Sequence, residues 1–249
     1  MIYEIIDIFL SLPRIHIIAT TSTLAIVAIL LITKKILGTH FNIALYRKIA
    51  FTPLLIELIF QLSVLNDNNW FLKESLPLEF SYLTSLSIIL YYFISDLKIK
   101  SWLYFAGIWS AAVAFFNTII IGDETWYTLL RYYGHHGLLL FYGLESVLGG
   151  FRPTLTNYIN AIKMTSYIII TISIFNILAG SNYMFTRTKP DGMNFTILMP
   201  EWPGYFIIIL ALGLTFYSIL YFCGKKALKP RAIRCNQIAI QLTNSHIRH

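Results

Sequence analysis

Long apolar runs recur along the whole chain, and the short segments between them carry most of the charge. Of the 249 residues, 57% are hydrophobic and 12% are charged, whereas a typical soluble domain has about 25% charged residues. A run of about 20 apolar residues can cross a bilayer as a helix, and lipid offers the backbone polar groups no other partner. The sequence therefore predicts an all-α, polytopic membrane protein.

Seven such runs can be distinguished, and their length suits one helical bundle without a second, soluble domain. The predicted spans cover residues 15–33, 49–65, 76–95, 101–121, 127–148, 164–180 and 203–223. A short basic tail, residues 224–249, follows the last span.

The distribution of lysine and arginine predicts the orientation of this bundle. Cytoplasmic loops of membrane proteins are enriched in these two residues. If the C-terminus lies inside, 14 of the 19 basic residues fall in cytoplasmic segments, near residues 34–48, 98–100 and 152–163 and in the tail. We therefore predict seven spans with the N-terminus outside, in a bacterial inner or plasma membrane. The net charge of +7 thus comes from basic residues that lie beside the spans and set the orientation. No solvated basic stripe indicates nucleic-acid binding.

The fifth predicted span differs from the others because it carries several ionisable side chains. At about 100° per residue, Arg131, His135, Tyr142 and Glu145 fall on one stripe of the helix, and His136 flanks that stripe. Ionisable groups in the hydrocarbon core usually face a bundle interior or a water-filled cavity. We therefore expect other helices to cover this polar seam.

Three carboxylates, Glu57, Glu79 and Glu145, also fall within predicted spans. Any of them can pair with Arg131 if the helices meet. Glu79 and Glu145 lie near span ends and can reach the interface, whereas Glu57 lies nearer the middle of its span. A proton relay through such groups is typical of transporters, so a small-molecule or proton-coupled carrier is one possible function.

The two histidines allow three roles: general base, hydrogen bond between helices, or metal ligand. No cysteine partner and no HExxH spacing supports a metal site, so we expect neither a metal nor another cofactor. Ser81 can act as a nucleophile if a histidine lies in reach. Alone, a serine in a membrane helix more often bonds its own backbone or a neighbouring helix.

Several motifs resemble those of the YwaF-type integral membrane proteins, a largely bacterial family predicted to have seven spans. The similarity extends over most of the chain, and its most specific part is the order of three short motifs near the C-terminus. The matching segments are Leu76-Pro-Leu-Glu-Phe-Ser81, His136-Gly137, Asn182-Tyr183-Met-Phe185, Lys189-Pro190 and Trp202-Pro203.

This resemblance implies a function. A vertebrate relative is described as a phospholipid acyltransferase with a cysteine nucleophile and a histidine, and the family pattern usually reads Leu-Pro-Leu-His-x-Cys. The resemblance places Ser81 at the cysteine, Glu79 at the preceding histidine and His136 at the catalytic-type histidine. It implies acyl transfer or hydrolysis on membrane lipids, with Ser81 as nucleophile, His136 moving protons and Glu79 or Arg131 orienting groups or stabilising charge. Transport and a non-enzymatic assembly role are the alternatives.

Overall fold

The computed structural model describes residues 2–37, 43–191 and 194–226, and within these ranges the chain is helical with no strand. A π-helical turn, Leu103–Gly107, lies within the fifth helix, and two 3-10 turns, Tyr183–Phe185 and Phe195–Leu198, precede the last one. The predicted tail beyond Lys226 lies outside the described residues. The helices are α1 (Ile2–Leu10), α2 (Arg14–Leu37), α3 (Ile43–Asn66), α4 (Phe80–Ile94), α5 (Leu97–Phe116), α6 (Trp126–Leu148), α7 (Leu155–Ala179) and α8 (Gly204–Lys226).

Within the described ranges, five helical segments are long and apolar enough to cross a membrane, and they lie in α2, α3, α5, α7 and α8. The other two predicted spans differ from these five: α4 has 15 residues, and α6 has 23 residues but contains the polar seam. The prediction of an all-helical chain with several apolar helices of membrane-spanning length is confirmed. Crossing by all seven helices, and the side on which each terminus lies, stay predictions.

Several helix ends differ from the predicted spans because capping groups set them rather than hydropathy. α7 begins at Leu155 instead of 164: the Thr154 hydroxyl accepts from the Asn157 backbone N–H at 3.2 Å, and the Asn157 side chain accepts from the Thr154 N–H at 2.9 Å. This reciprocal capping box starts the helix early. α5 ends at Phe116 instead of 121, because Asn117 leaves the helical conformation and its side chain accepts from the Phe195 N–H at 2.7 Å.

The third predicted span begins late, at Phe80 instead of 76, because the preceding segment folds into the bundle. Ser75 is 3% exposed, and its carbonyl accepts hydrogen bonds from Gln61 and from Arg131. Arg131 also binds Glu57, which lies about 13 Å of helix before the end of α3. Residues 67–79 therefore return from the end of α3 to the depth of Glu57. Irregular backbone at such depth is tolerated where protein buries it.

Helix α6 lies at the centre and packs against α2, α3, α4 and α5. Glycines permit this close approach: a Cβ at Gly134 would lie 2.6 Å from Ile56 Cδ1, and one at Gly137 would lie 2.6 Å from Thr23 Cγ2. Helices α7 and α8 pack on the outside of α5. This arrangement encloses the polar seam and leaves a space between the α4–α6 group and the outer pair.

Candidate functional site

A cavity of about 420 Å³ lies between the start of α4 and helices α5 to α8. The two 3-10 turns of the connection between α7 and α8 also contribute to its wall, through Met184, Phe185 and Thr196. Its volume falls within the range of about 300–1,000 Å³ that is usual for ligand sites. Most of the lining side chains are apolar, including Trp109, Val113, Ile162, Ile169, Phe206, Ile209, Leu210 and Leu214.

The three residues predicted as catalytic, Glu79, Ser81 and His136, all line this cavity. Ser81 is 8% exposed and His136 is 6% exposed. Ser81 lies in the first turn of α4, and His136 lies midway along α6. The packing of α4 on α6 therefore brings together residues that are far apart in the sequence.

Ser81 differs from the other hydroxyl residues of α4. Thr84, Ser85 and Ser87 each donate a hydrogen bond to a backbone carbonyl of their own helix, at 2.6, 3.1 and 2.6 Å. The Ser81 side chain makes no hydrogen bond with any described residue. Its hydroxyl is thus able to contact a molecule in the cavity instead of satisfying the helix backbone.

His136 also has a ring nitrogen that makes no hydrogen bond with the described residues. Its Nδ1 is buried and has no hydrogen-bonding partner within the described ranges, although buried polar groups normally have one. The rings of Tyr132 and Phe115 hold the imidazole, with centroids 4.7 and 6.3 Å away. No hydrogen bond joins the side chains of Ser81 and His136, both of which lie within the described ranges. Catalytic hydrogen bonds are often long or poorly aligned before substrate binds.

Glu79 has a different role in the observed geometry. It precedes α4, and its Oε2 accepts a hydrogen bond from the Met184 backbone N–H at 2.8 Å. Since Met184 also lines the cavity, the Glu79 carboxylate ties the start of α4 to the cavity wall.

The motif Asn182-Tyr183-Met-Phe185, together with Pro190 and Thr196, forms one end of the cavity. We call this end the roof. The Tyr183 hydroxyl donates to the Leu72 carbonyl at 2.8 Å and accepts from the Leu76 N–H at 3.0 Å. Asn176 is fully buried and bonds both the N–H and the carbonyl of Tyr183. The roof is therefore fastened to the segment that leads into α4.

The other motif residues stabilise the same connection. The Asn182 Oδ1 accepts from the N–H groups of Arg187 and Thr188. The Lys189 Nζ donates to the Met199 carbonyl and to Glu201, both at 2.8 Å. The Trp202 indole donates to the Thr186 carbonyl at 2.9 Å, and a cis peptide bond joins Trp202 to Pro203. Of the six motif residues predicted as functional, Pro190 alone lines the cavity.

The half of the polar seam nearer the start of α6 forms a buried cluster behind the cavity. Arg131 donates from Nε to Glu57 Oε2 at 3.0 Å and from Nη2 to Glu57 Oε1 at 2.8 Å. His135 Nδ1 is hydrogen-bonded to the Ser85 hydroxyl, and its Nε2 lies 3.5 Å from Glu57. The Tyr82 ring lies 4.2 Å from the Arg131 guanidinium and also lines the cavity. Arg131 therefore does not line the cavity itself but contacts Tyr82, which does.

The half of the seam nearer the end of α6 is separate from this cluster. Glu145 forms an ion pair with Lys34 of α2, and Tyr142, at 2% exposure, is buried one turn earlier in α6. Neither residue lines the cavity. Among the described residues, no group of three or more His, Cys, Asp or Glu side chains is arranged to hold a metal ion.

Some lining residues were not predicted from the sequence. Tyr82, Trp109, Thr165 and Tyr217 read as ordinary interfacial or packing residues in a membrane helix. A weak signal existed in the fourth predicted span, where Ser110 and Asn117 lie seven residues apart and would share a face of a continuous helix. Both line the cavity, although Asn117 follows the end of α5.

Comparison with known proteins gives a family but no closer relative. No curated protein matches the chain, and no solved structure matches it. The sequence profile of the TMEM164 family matches residues 9–221, a range that includes every lining residue of the cavity. With a match over most of its length, the chain belongs to the TMEM164 family, a family of transmembrane proteins.

Proposed function

We propose that this protein is a membrane-embedded acyltransferase that moves an acyl group between lipids, with Ser81 as nucleophile and His136 as general base. One observation carries the proposal: Ser81 and His136 line one largely apolar cavity, and neither the Ser81 hydroxyl nor the buried His136 Nδ1 has a hydrogen-bonding partner among the described residues. A serine that served packing would bond its helix, as Thr84 and Ser87 do.

The proposed chemistry needs no external oxidant or reductant. Ser81 Oγ attacks the carbonyl carbon of a lipid ester while His136 takes the hydroxyl proton. The bond from that carbon to the glycerol oxygen breaks, His136 returns the proton to the leaving oxygen, and an acyl-serine and a lysolipid result. A second lipid hydroxyl then attacks the acyl-serine, His136 accepts its proton, and Ser81 Oγ leaves and is reprotonated. Water as the acceptor gives hydrolysis instead.

Glu79 and Arg131 act as positioning residues in this proposal. The Glu79 bond to the Met184 N–H supports it, since that bond fixes the start of α4 and thus the place of Ser81. The contact of Arg131 with Tyr82 supports an indirect role, because Tyr82 rather than Arg131 belongs to the cavity wall.

Our topology proposal is that all seven helices α2–α8 cross the membrane, with the N-terminus outside and the C-terminus inside a cell membrane. The central place of α6 supports it: neighbours that cover the Arg131 and Glu145 side chains remove the cost of exposing them to lipid. Reporter fusions at the connections after α4 and after α7 test this arrangement. They should lie on opposite sides, inside and outside respectively, and the same side for both would contradict it.

The acyl-transfer proposal is tested by comparing the lipids of membranes that contain wild type, Ser81→Ala, Ser81→Cys or His136→Ala at matched protein levels. Ser87→Ala is the matched control, because Ser87 lies on the same helix but bonds its own backbone. A shift in acyl-chain distribution with wild type, Ser81→Cys and Ser87→Ala, but not with the other two, is expected. Equal profiles for wild type and Ser81→Ala would contradict the mechanism.

The buried Glu57–Arg131–His135 cluster is the observation that favours a proton-coupled carrier as second candidate. In a carrier, Glu57→Gln should abolish uptake while Ser81→Ala leaves it unchanged. In the acyltransferase, lipid turnover depends on Ser81.

A further inference from the structure

The cavity is open sideways, between α7 and α8. The first half of α7 is joined to the second half of α8 by hydrogen bonds of Tyr158 with Ser218 at 2.8 Å and of Thr165 with Tyr217 at 3.0 Å. Beyond this junction, Leu210 and Leu214 line the cavity and are 41% and 49% exposed. Lining residues with so much exposed surface lie at the mouth of a cavity, and this mouth faces the surrounding lipid.

The cavity is elongated along α8. The lining positions of this helix run from Phe206 to Tyr217 on one face, a distance of about 16 Å at 1.5 Å per residue. One end is closed by the roof. The other end is closed by a floor in which the Trp102 indole donates to the Thr165 hydroxyl at 3.3 Å and Thr165 bonds Tyr217. The result is a slot that is closed at both ends and open on its long side.

The slot suits a flexible apolar chain better than a polar solute. Among the described residues that line it, Glu79 is the one Asp, Glu, Lys or Arg, and its Oε2 is bonded to the roof. Along the α8 side, the lining from Phe206 to Leu214 is entirely apolar. A polar substrate would lose its hydration there without gaining hydrogen bonds.

Gly213 controls the width of the slot one turn before the floor. A Cβ at this position would lie 3.6 Å from Cε2 and Nε1 of Trp109 on the opposite wall. Alanine therefore fits in ordinary van der Waals contact. A branched side chain must either fill the slot or displace the indole.

We propose that a long acyl chain enters sideways between α7 and α8, lies along this slot, and is limited in length by the space at Gly213. The role of this bound chain as a substrate rests on the proposed acyl transfer at Ser81, whereas its binding in the slot does not depend on that proposal. The chain can arrive as part of a phospholipid or as a free fatty acid, and both present the same apolar tail.

Photolabelling tests this inference. The full-length protein is placed in phosphatidylcholine vesicles that contain either a phosphatidylcholine or a free fatty acid with a diazirine near the methyl end of the chain. Labelled peptides are then mapped by mass spectrometry. In wild type, label is expected on Ser110 and Tyr217, which line the slot and are 7% and 3% exposed. The probe that gives this label identifies the source of the chain.

Two variants on α8 provide the comparison. In Gly213→Leu, label on Ser110 and Tyr217 should fall about tenfold, the ratio that overpacking worth about 1.4 kcal/mol produces. Ala211→Leu adds the same side chain outside the slot, and its labelling should equal that of wild type. Label confined to the outer surface in wild type, or equal inner labelling in both variants, would overturn the inference.

Failure of the slot and failure of the acyltransferase can be told apart, because labelling needs no turnover and is repeated in Ser81→Ala. Label inside the slot without any Ser81-dependent turnover would support the slot and reject the enzyme. Ser81-dependent turnover with no label inside would reject the slot and leave the proposed function standing.

Discussion

Neutralising Glu57 is expected to destabilise the bundle more than any exposed charge substitution. In Glu57→Gln, the Arg131 guanidinium keeps its charge but loses a carboxylate that it binds with two nitrogens. The side chains of Arg131 and Glu57 are 5% and 8% exposed, so water cannot replace the lost partner. The Ser75 carbonyl remains, at 3.2 Å, as a weaker acceptor.

The expected loss follows from this burial. Breaking a buried ion pair by removing one partner costs about 3–5 kcal/mol, because an uncompensated charge stays behind. The Phe60 and Tyr82 rings, 3.8 and 4.2 Å from the guanidinium, compensate part of this charge through cation–π contact, which favours the lower end of the range. We therefore expect about 3 kcal/mol for Glu57→Gln.

The assay is reversible denaturant unfolding of the purified protein in detergent micelles. Glu201→Gln is the matched control, since Glu201 pairs with Lys189 at 2.8 Å but its side chain is 89% exposed, and such surface pairs contribute about 0–1 kcal/mol. Combining Glu57→Leu with Arg131→Met removes both charges and should restore much of the stability. A loss for Glu57→Gln no larger than that for Glu201→Gln would refute this reasoning.

Three further predictions concern packing and the roof. Gly137→Leu should lower the unfolding temperature and reduce the folded yield, because even a Cβ there would lie 2.6 Å from Thr23 Cγ2. Gly213→Ala should match wild type in the same thermal assay, because a Cβ there lies 3.6 Å from its nearest neighbours. Asn176→Ala should lower the free energy of unfolding by about 1–3 kcal/mol, because it leaves the buried N–H and carbonyl of Tyr183 unsatisfied. Protease cleavage in the connection before α8 should then accelerate. Unchanged cleavage would contradict the role of Asn176. Asn194-Phe-Thr196 should remain unglycosylated in a eukaryotic host, because Asn194 is fully buried; a mobility shift on glycosidase treatment would contradict the structure there.

The helices could be predicted from the sequence because the hydrophobic effect and lipid exclusion act over whole segments. Their ends could not, since single capping contacts such as Thr154 with Asn157 decide them. The later start of α4, at Phe80 instead of 76, was not predicted for a related reason. The segment before it is held inside the bundle by Arg131 and Tyr183, and both contacts join residues far apart in the chain.

The candidate site shows the same division. Helical periodicity placed Arg131 and His135 on one stripe, but three carboxylates were possible partners, and only the packing of α3 on α6 selects Glu57. Ser81 and His136 were singled out by the family resemblance, and their common cavity depends on how α4 and α6 meet. The slot proposed along α8 was not predictable, because the apolar patterns of α7 and α8 do not show which of their faces line a common cavity.

The most direct test of the central claim is acyl transfer by the purified protein in vesicles that contain a phospholipid with an isotope-labelled acyl chain and an unlabelled lysolipid. The proposed mechanism predicts that label moves to the lysolipid with wild type and with Ser87→Ala, and that Ser81→Ala and His136→Ala reduce transfer to the rate of empty vesicles. Ser81→Ala should fold as well as wild type, because its hydroxyl satisfies no described group. Transfer by folded Ser81→Ala at the wild-type rate would contradict the account.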